Sequence, residues 1–230
     1  MLRSPKSIVL LVLVLLAAGI MVRLGVWQLS RLHQKQAINV TRLQIRASAP
    51  VVLPQTPPAE AIFEHPAIAY GRFVSAPAFA IINLSWRGAP GVDIVNTFEL
   101  RDGTLLLVDR GFVPLASRYV APAPPTGPVE LRGYLFTSIY DERPSHPAQL
   151  PAGDWVRLDP PAMGAATGRT FLPFALAPTH NTGDGRFPVV KKLPEVDEGP
   201  HLSYAIQWFS FATIFLVGGI FLLISKERKA

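Results

Sequence analysis

Two uncharged apolar runs, one near each end, constrain this chain more than any other feature. Residues 202–224 contain 23 residues without a formal charge, and residues 8–22 form a second uncharged run that extends, with one arginine, over 7–29. At about 1.5 Å per residue, 23 residues make about 34 Å of helix, enough to cross a bilayer core of about 30 Å. The sequence therefore predicts two transmembrane helices, at 7–29 and 202–224.

A cleaved signal peptide is the alternative interpretation of the first run. Arg3 and Lys6 could form its positive region, and small residues follow at 17–19. The run is long for a signal peptide, however, and the next residues continue a helix-compatible pattern instead of a cleavage site. We therefore favour an uncleaved span. The span begins after about seven residues, which leaves no room for an Arg-rich mitochondrial leader and predicts a bacterial inner membrane.

The charge distribution argues against nucleic acid as a partner, although the net charge is +6 and the pI is about 9.9. Residues 1–50 carry seven Lys/Arg and no acid, whereas residues 51–200 carry twelve Lys/Arg against fifteen Asp/Glu, a sum of −3. A nucleic-acid surface needs its cations clustered on a folded face. Short basic tails beside spans are typical of the cytoplasmic side, which predicts cytoplasmic termini and a periplasmic central domain.

The region between the spans is predicted to be one mainly antiparallel β domain. Of the 23 prolines, 22 lie between Pro50 and Pro200, so long helices are excluded there. The predicted organisation is a span at 7–29, a helical extension and Pro-rich linker at 30–66, the β domain at 67–200 and a span at 202–224. Strand-like runs separated by turn signals support it. These runs are 67–74, 78–85, 92–100, 104–113 and 129–137, with further short ones at 154–159, 171–176 and 187–193.

The chain carries no motif of a soluble enzyme. The nucleophile-elbow, phosphate-loop and dinucleotide patterns are absent, the five histidines are far apart, and there is no cysteine. We read Asp141-Glu142 as a solvated turn. Arg110 and Gly111 are read as scaffold, with Gly111 supplying unusual backbone angles and Arg110 pairing with a carboxylate. The sequence therefore predicts a protein that is not an enzyme.

Polar and aromatic residues at the start of the second span form the candidate site. Gln207 lies inside the span, where an unpartnered amide is costly, so it should face the other helix or a ligand. Helical spacing places His201, Tyr204 and Trp208 on one stripe with Ala205 and Ala212, over which a flat ligand could lie. Two alternatives stay open: an interfacial histidine exposed to water, and a helix–helix contact in which Trp208 packs on the first span.

A matching group lies where the first span ends. Arg23, Trp27 and Gln28 are close together in sequence, and Arg31 and Lys35 are four residues apart. Cations there can bind lipid phosphates or carboxylates such as porphyrin propionates. Ordinary interfacial anchoring explains them equally well.

The order of several short motifs resembles one family. Residues 24–31 with Lys35 resemble the L-G-x-W-Q-x-x-R-x-x-x-K signature of the SURF1 (Surfeit locus protein 1) family, and residues 201–209 match its H-L-x-Y-A-x-Q-W-F signature. The runs at 71–73, 107–114 and 155–162 resemble its G-x-F, V-N-R-G-W-V-P and W-x-x-x-D-x-x-A motifs. The chain departs from the pattern at Asp109, at Phe112 and at Pro200, where the family usually has asparagine.

The resemblance implies an assembly factor for haem-copper cytochrome c oxidase. Its implied cofactor is transiently bound haem a, with His201 as the axial ligand of the iron. Tyr204, Gln207 and Trp208, together with Trp27 and Arg23, are the implied porphyrin contacts. The implied partners are the catalytic subunit of the oxidase, a haem a synthase and the lipid bilayer. The alternative is a haem-independent membrane chaperone that stabilises the nascent subunit or bridges it to the synthase.

Overall fold

The computed structural model describes residues 5–120, 123–137, 145, 151, 153–182 and 187–227. Within these residues there are three α-helices and seven β-strands. The helices are α1 (Pro5–Arg46), α2 (Pro160–Thr167) and α3 (His201–Glu227). The strands are β1 (Val51–Val52), β2 (Pro66–Trp86), β3 (Ala89–Leu100), β4 (Leu105–Pro114), β5 (Pro128–Thr137), β6 (Asp154–Trp155) and β7 (Phe171–Pro178). The chain forms two compact units, one of residues up to Leu43 with those from Glu195 onward, the other Gln44–Pro194.

In the first unit, α1 and α3 are long and apolar enough to cross a membrane. They pack through small residues. A side-chain carbon on Gly25 would lie 2.7 Å from the ring of Phe209, and one on Gly219 would lie 2.6 Å from Val14. Since lipid is as apolar as the side chains, such close approach is what stabilises a helix pair in a bilayer. The predicted pair of terminal apolar helices is confirmed.

The second unit is a closed β-barrel. Residues 66–72 of the long strand β2 pair with β5, and most of its length from Gly71 to Trp86 pairs with β3. The remaining pairs are β3 with β4, β4 with β7, and β7 with β5. The order β2-β3-β4-β7-β5 therefore returns to β2, and the barrel strands have no free edge. The pairing is mainly antiparallel, as predicted, with parallel contacts of β2 with β1 and β6, and of β4 with β7.

Both faces of the central strands are covered. On β4, Leu106 and Val108 belong to the core inside the barrel, whereas Leu107 belongs to a second core on the outer face. Trp155 and Met163, from the segment around α2, complete that outer core. Successive residues of a strand point to opposite faces, so the first part of β4, residues 105–108, is a continuous apolar run.

Several strands in the structure differ in extent from the runs predicted from the sequence. The runs at 67–74 and 78–85 are one strand interrupted by register shifts, because a single long strand is needed to reach both neighbours and close the barrel. The run at 154–159 contains only a two-residue strand, and the run at 187–193 contributes one bridge, between Phe112 and Val189. Residues 101–104 form the hairpin turn between β3 and β4, with Gly103 at φ +85°. Asp141-Glu142 lies outside the described residues.

Helix α2 was not predicted, although its sequence carries standard end signals. The Asp159 side chain accepts a hydrogen bond from the amide of Ala162, two prolines occupy the first turn, and Gly168 ends the helix at φ +65°. At eight residues the helix is too short to show an apolar period. Its capping residues were therefore the available signal.

The Pro-rich segment at 50–66 is more than an extended linker. It contributes β1 and a 3₁₀ turn at Ala59–Ala61, and Leu53 is buried in the barrel core. The fully buried Glu64 pairs with Arg46, whose Nε lies 2.8 Å from the carboxylate. Thus Arg46, at the end of α1, has a structural role inside the β unit.

Candidate functional site

The turn that leads into α3 is held by hydrogen bonds from the C-terminal half of α1. The amide of Asn39 donates to the carbonyl of Asp197 at 3.1 Å, and Gln36 donates to the carboxylate of Glu198 at 3.2 Å. Gly199 adopts φ +74°, a conformation that glycine tolerates, and turns the chain into the helix. These contacts determine where the first residue of α3, His201, is placed.

His201 is hydrogen-bonded across the helix pair to Gln28. Its Nδ1 lies 2.9 Å from the amide oxygen of Gln28, 173 positions earlier in the sequence. A carbonyl oxygen can only accept, so Nδ1 is the donor in this bond, and the matching tautomer of a neutral imidazole has a lone pair on Nε2. Within the described part of the chain, Nε2 has no hydrogen-bond partner. A ligating histidine is typically oriented in this way, by a carbonyl or carboxylate on its other nitrogen.

The predicted stripe on α3 divides into two faces. Ala205 and Ala212 are 1% and 3% exposed and lie on the buried side of the helix pair, so they cannot form the floor of a site for a flat ligand. Tyr204 is 45% exposed, and Trp208 is half-buried with its ring edge-on to that of Phe211. Of the residues in the predicted stripe, the tyrosine and the tryptophan therefore form the open aromatic surface next to His201.

Gln207 and the two residues predicted on α1 are exposed. Gln207 is exposed in the helix pair, so its amide is not buried against α1, and the predicted contact with a ligand stays a prediction. Trp27 is adjacent to Gln28 and is 53% exposed. Arg23 is exposed, five residues or about 7.5 Å along the helix from Gln28, and has no hydrogen-bond or ion-pair partner among the described residues.

A second group of polar residues lies in the β barrel, around a bulge in β4. Ile94 faces Gly111 and Val95 faces Asp109, so Arg110 is an extra residue between them. Gly111 has φ +112°, and a side-chain carbon there would lie 2.3 Å from the carbonyl oxygen of Val189. As predicted, the glycine provides a backbone conformation that other residues rarely adopt.

Arg110 is 1% exposed and acts as a buried crosslink. It donates to the hydroxyl of Thr182 at 2.9 Å, the amide oxygen of Asn96 at 3.3 Å and the carbonyl of Ala123 at 3.3 Å. Burial lowers the pKa of Arg110. These partners are neutral oxygens, and the carboxylate partner that we inferred from the sequence stays a prediction.

Asp109 lies on the opposite face of β4, near Asp93 and Lys191. Lys191 forms an ion pair with Asp93, which is 4% exposed. Burial and then the negative charge of Asp93 raise the pKa of Asp109 to about 7, although Lys191 and a hydrogen bond from the amide of Gly111 favour its charged form. Two carboxylates thus share one ammonium group at this point of the barrel.

The fold and the first site together define a class of protein: a β-barrel domain between two helices of membrane-spanning length, with an oriented imidazole where the helices leave the apolar region. Within this class the chain belongs to the SURF1 family, whose model matches residues 15–213. Membership implies a role in the assembly of cytochrome c oxidase.

The chain is also similar to a protein described as "SURF1-like protein" from Monosiga brevicollis. The two are 29% identical over an alignment 227 positions long, which covers 86% of this chain and 82% of the relative. The family match over residues 15–213 spans the barrel and reaches into both apolar helices, in agreement with the resemblance found in the motifs.

Sequence reasoning did not identify the Gln28–His201 bond or the Asp93–Asp109–Lys191 group. Gln28 was noticed for its position near the membrane interface, but no local pattern reveals which distant side chain it meets. Asp109 carried a weak signal, since an acid inside an apolar strand must be solvated or neutralised. Lys191 lies within the run at 187–193 that predicted a short strand, and that pattern gave no indication of an ion pair.

Proposed function

We propose that this protein binds haem a through His201 and assists its insertion into, or retention by, the catalytic subunit of cytochrome c oxidase. The proposal rests on membership of the SURF1 family and on one observation, the hydrogen bond that leaves Nε2 of His201 as an acceptor without a described partner. When bound, haem would supply an iron centre that accepts an imidazole nitrogen as axial ligand. The absence of cysteine suits a cofactor that is held without covalent attachment.

The residues around His201 have the chemistry that a porphyrin requires. Tyr204 and Trp208 offer aromatic surface on the histidine side of α3, and Trp27 offers it next to Gln28. Arg23 is a cation without a described partner in an otherwise apolar segment, so an acidic group such as a propionate or a lipid phosphate would neutralise it. In this proposal Gln28 positions His201, while the aromatic groups exclude water.

We place the protein in the bacterial inner membrane, with both termini cytoplasmic and the β barrel periplasmic. The support is the two apolar helices and the basic residues that flank them. We expect a reporter that is active only in the cytoplasm to be active when fused after Ala230. Activity there of a reporter that works only outside the cytoplasm would contradict this topology.

The experiment for haem binding uses the full chain, produced together with a haem a synthesis pathway and purified from membranes. We expect His201→Ala to lower copurifying haem about tenfold or more, measured by absorbance and by haem extraction, because the axial ligand is lost. Gln28→Leu should lower it less, since the ligand remains but loses its orientation. The matched control is His33→Ala, which removes an exposed histidine of the same helix pair.

Unchanged haem content in His201→Ala, with normal insertion in the membrane, would remove the ligand assignment. The haem-independent chaperone is then tested by copurification of the oxidase catalytic subunit from cells that make no haem. Persistence of that complex, together with unchanged haem in the variant, would favour the chaperone. Loss of the complex with the catalytic subunit in haem-deficient cells would count against the chaperone.

A further inference from the structure

A large cavity in the β unit, separate from the helix pair, has no role in the function proposed above. Its volume is about 1430 Å³, beyond the roughly 300–1,000 Å³ of ordinary small-molecule sites. Tyr134 and Phe136 of β5 and Ala177 of β7 point into it, on the face opposite the barrel core residues Leu135 and Leu176. The cavity therefore lies outside the barrel wall, within one compact unit.

The walls of this cavity are mainly apolar, and two segments enclose it. One is residues 156–158, which follow β6, and the other is residues 190–194. The bridge between Phe112 and Val189 holds the second segment against β4, with backbone hydrogen bonds of 2.9 and 2.8 Å. The walls therefore belong to the folded barrel, and the apolar area they expose requires an apolar occupant or remains in contact with water.

The lining contains four charged residues. They are Asp109, Arg157, Lys191 and Lys192. Lys191 is paired with Asp93, and Arg157 lies 3.7 Å from the carboxylate of Asp159. Lys192 is exposed and has no partner among the described residues. The cavity thus has one cation that its own described surroundings do not neutralise.

We propose that this cavity binds an acidic amphiphile, a molecule with a long or broad apolar body and a carboxylate or phosphate group that contacts Lys192. The apolar body matches the aromatic and aliphatic walls, and the acidic group matches the unneutralised ammonium. Two sources share this chemistry, an acyl lipid and a porphyrin with its propionates. The site is distinct from His201 and does not depend on the haem proposal.

The test uses the full chain in nanodiscs of zwitterionic lipid and a photoactivatable fatty acid as the probe. After illumination, peptide mass spectrometry locates the adducts, and adducts on α3 serve as a measure of probe in the bilayer. We expect adducts on the cavity walls, at residues such as Tyr134, Phe136 and Leu193. Relative to α3, the free acid should label these residues about twofold to fivefold more than its methyl ester, the range for one exposed charge pair.

Variants test separately the contact of the acidic group with Lys192 and the fit of the apolar body to the cavity. Lys192→Gln should reduce cavity labelling by the acid to the level of the ester, whereas Arg72→Gln, an equal loss of charge at an exposed site outside the cavity, should not. Ala177→Phe should reduce labelling by both probes, because the added ring fills the cavity. Thermal unfolding of each variant verifies that the barrel is intact.

Competition identifies the source of the ligand. Displacement of the probe by protoporphyrin IX in both wild type and His201→Ala would indicate a porphyrin, and displacement by unlabelled fatty acid alone would indicate an acyl lipid. Equal labelling by acid and ester, or adducts on α3 without adducts in the cavity, would overturn the proposal. Neither result would bear on haem binding at His201.

Discussion

Arg110→Met is expected to destabilise the β barrel by about 3–4 kcal/mol, the largest effect among these predictions. Methionine fills a similar volume but donates no hydrogen bond. The hydroxyl of Thr182, the amide oxygen of Asn96 and the carbonyl of Ala123 would then be left without the donor they now share. For a unit of about 150 residues, this loss corresponds to a fall of roughly 10 °C in the unfolding midpoint.

Circular dichroism at a β-sheet wavelength measures this change in the purified full chain. The matched control is Arg72→Met on β2, where the exposed arginine pairs with Glu99 at 2.7 Å. That variant should lose less than about 1 kcal/mol, because exposed ion pairs contribute little. Equal midpoints for the two variants would show that Arg110 is not a crosslink of the barrel.

Asp109→Asn is expected to stabilise the barrel at pH 8 and to flatten its dependence on pH. The pKa of Asp109 is raised from 3.8 to about 7 in the folded protein, so between these values the folded state binds a proton that the unfolded state does not. Stability is therefore highest below about pH 4, falls as the pH rises towards 7, and is level above it. Since Asp109 retains some exposure, the wild-type loss between pH 5 and pH 8 should be about 2 kcal/mol.

Asparagine keeps an oxygen for the amide of Gly111 but has no proton to lose, so the variant should recover most of that loss at pH 8. Asp93 still contributes a slope of the same sign, because burial raises its pKa despite Lys191. Thermal unfolding at pH 5, 6, 7 and 8 measures the difference, with Asp102→Asn in the exposed hairpin turn as control. A variant that remained as dependent on pH as the wild type would exclude Asp109 as the titrating group.

Features that depend on residues close together in the sequence were predictable from the sequence. The two spans follow from uninterrupted apolar composition, and the strands β3, β4 and β5 were placed within about three residues at each end. The turn around Gly103 follows from glycine's tolerance of positive φ. Strand ends and the eight-residue helix α2 were less accessible, because capping and short bridges depend on one or two contacts instead of a repeated pattern.

The candidate site was predictable in its chemistry but not in its geometry. The sequence identified His201 with Tyr204 and Trp208, since an imidazole and aromatic rings at a membrane edge are chemically unusual. It also grouped Ala205 and Ala212 with them, although these alanines are buried on the side of the helix pair. Helical spacing shows which residues share a face, but the neighbouring helix decides which part of that face is covered.

The sequence by itself determined the apolar terminal helices, the mainly antiparallel domain between them and the residue types at the membrane edge. The tertiary structure alone decided that β2 closes the sheet by pairing with both β3 and β5, and that Gln28 orients His201 from 173 positions away. It also decided that Asp93, Asp109 and Lys191 meet. The physical reason is that periodicity and composition are local properties, whereas barrel closure and polar pairing depend on contacts between distant parts of the chain.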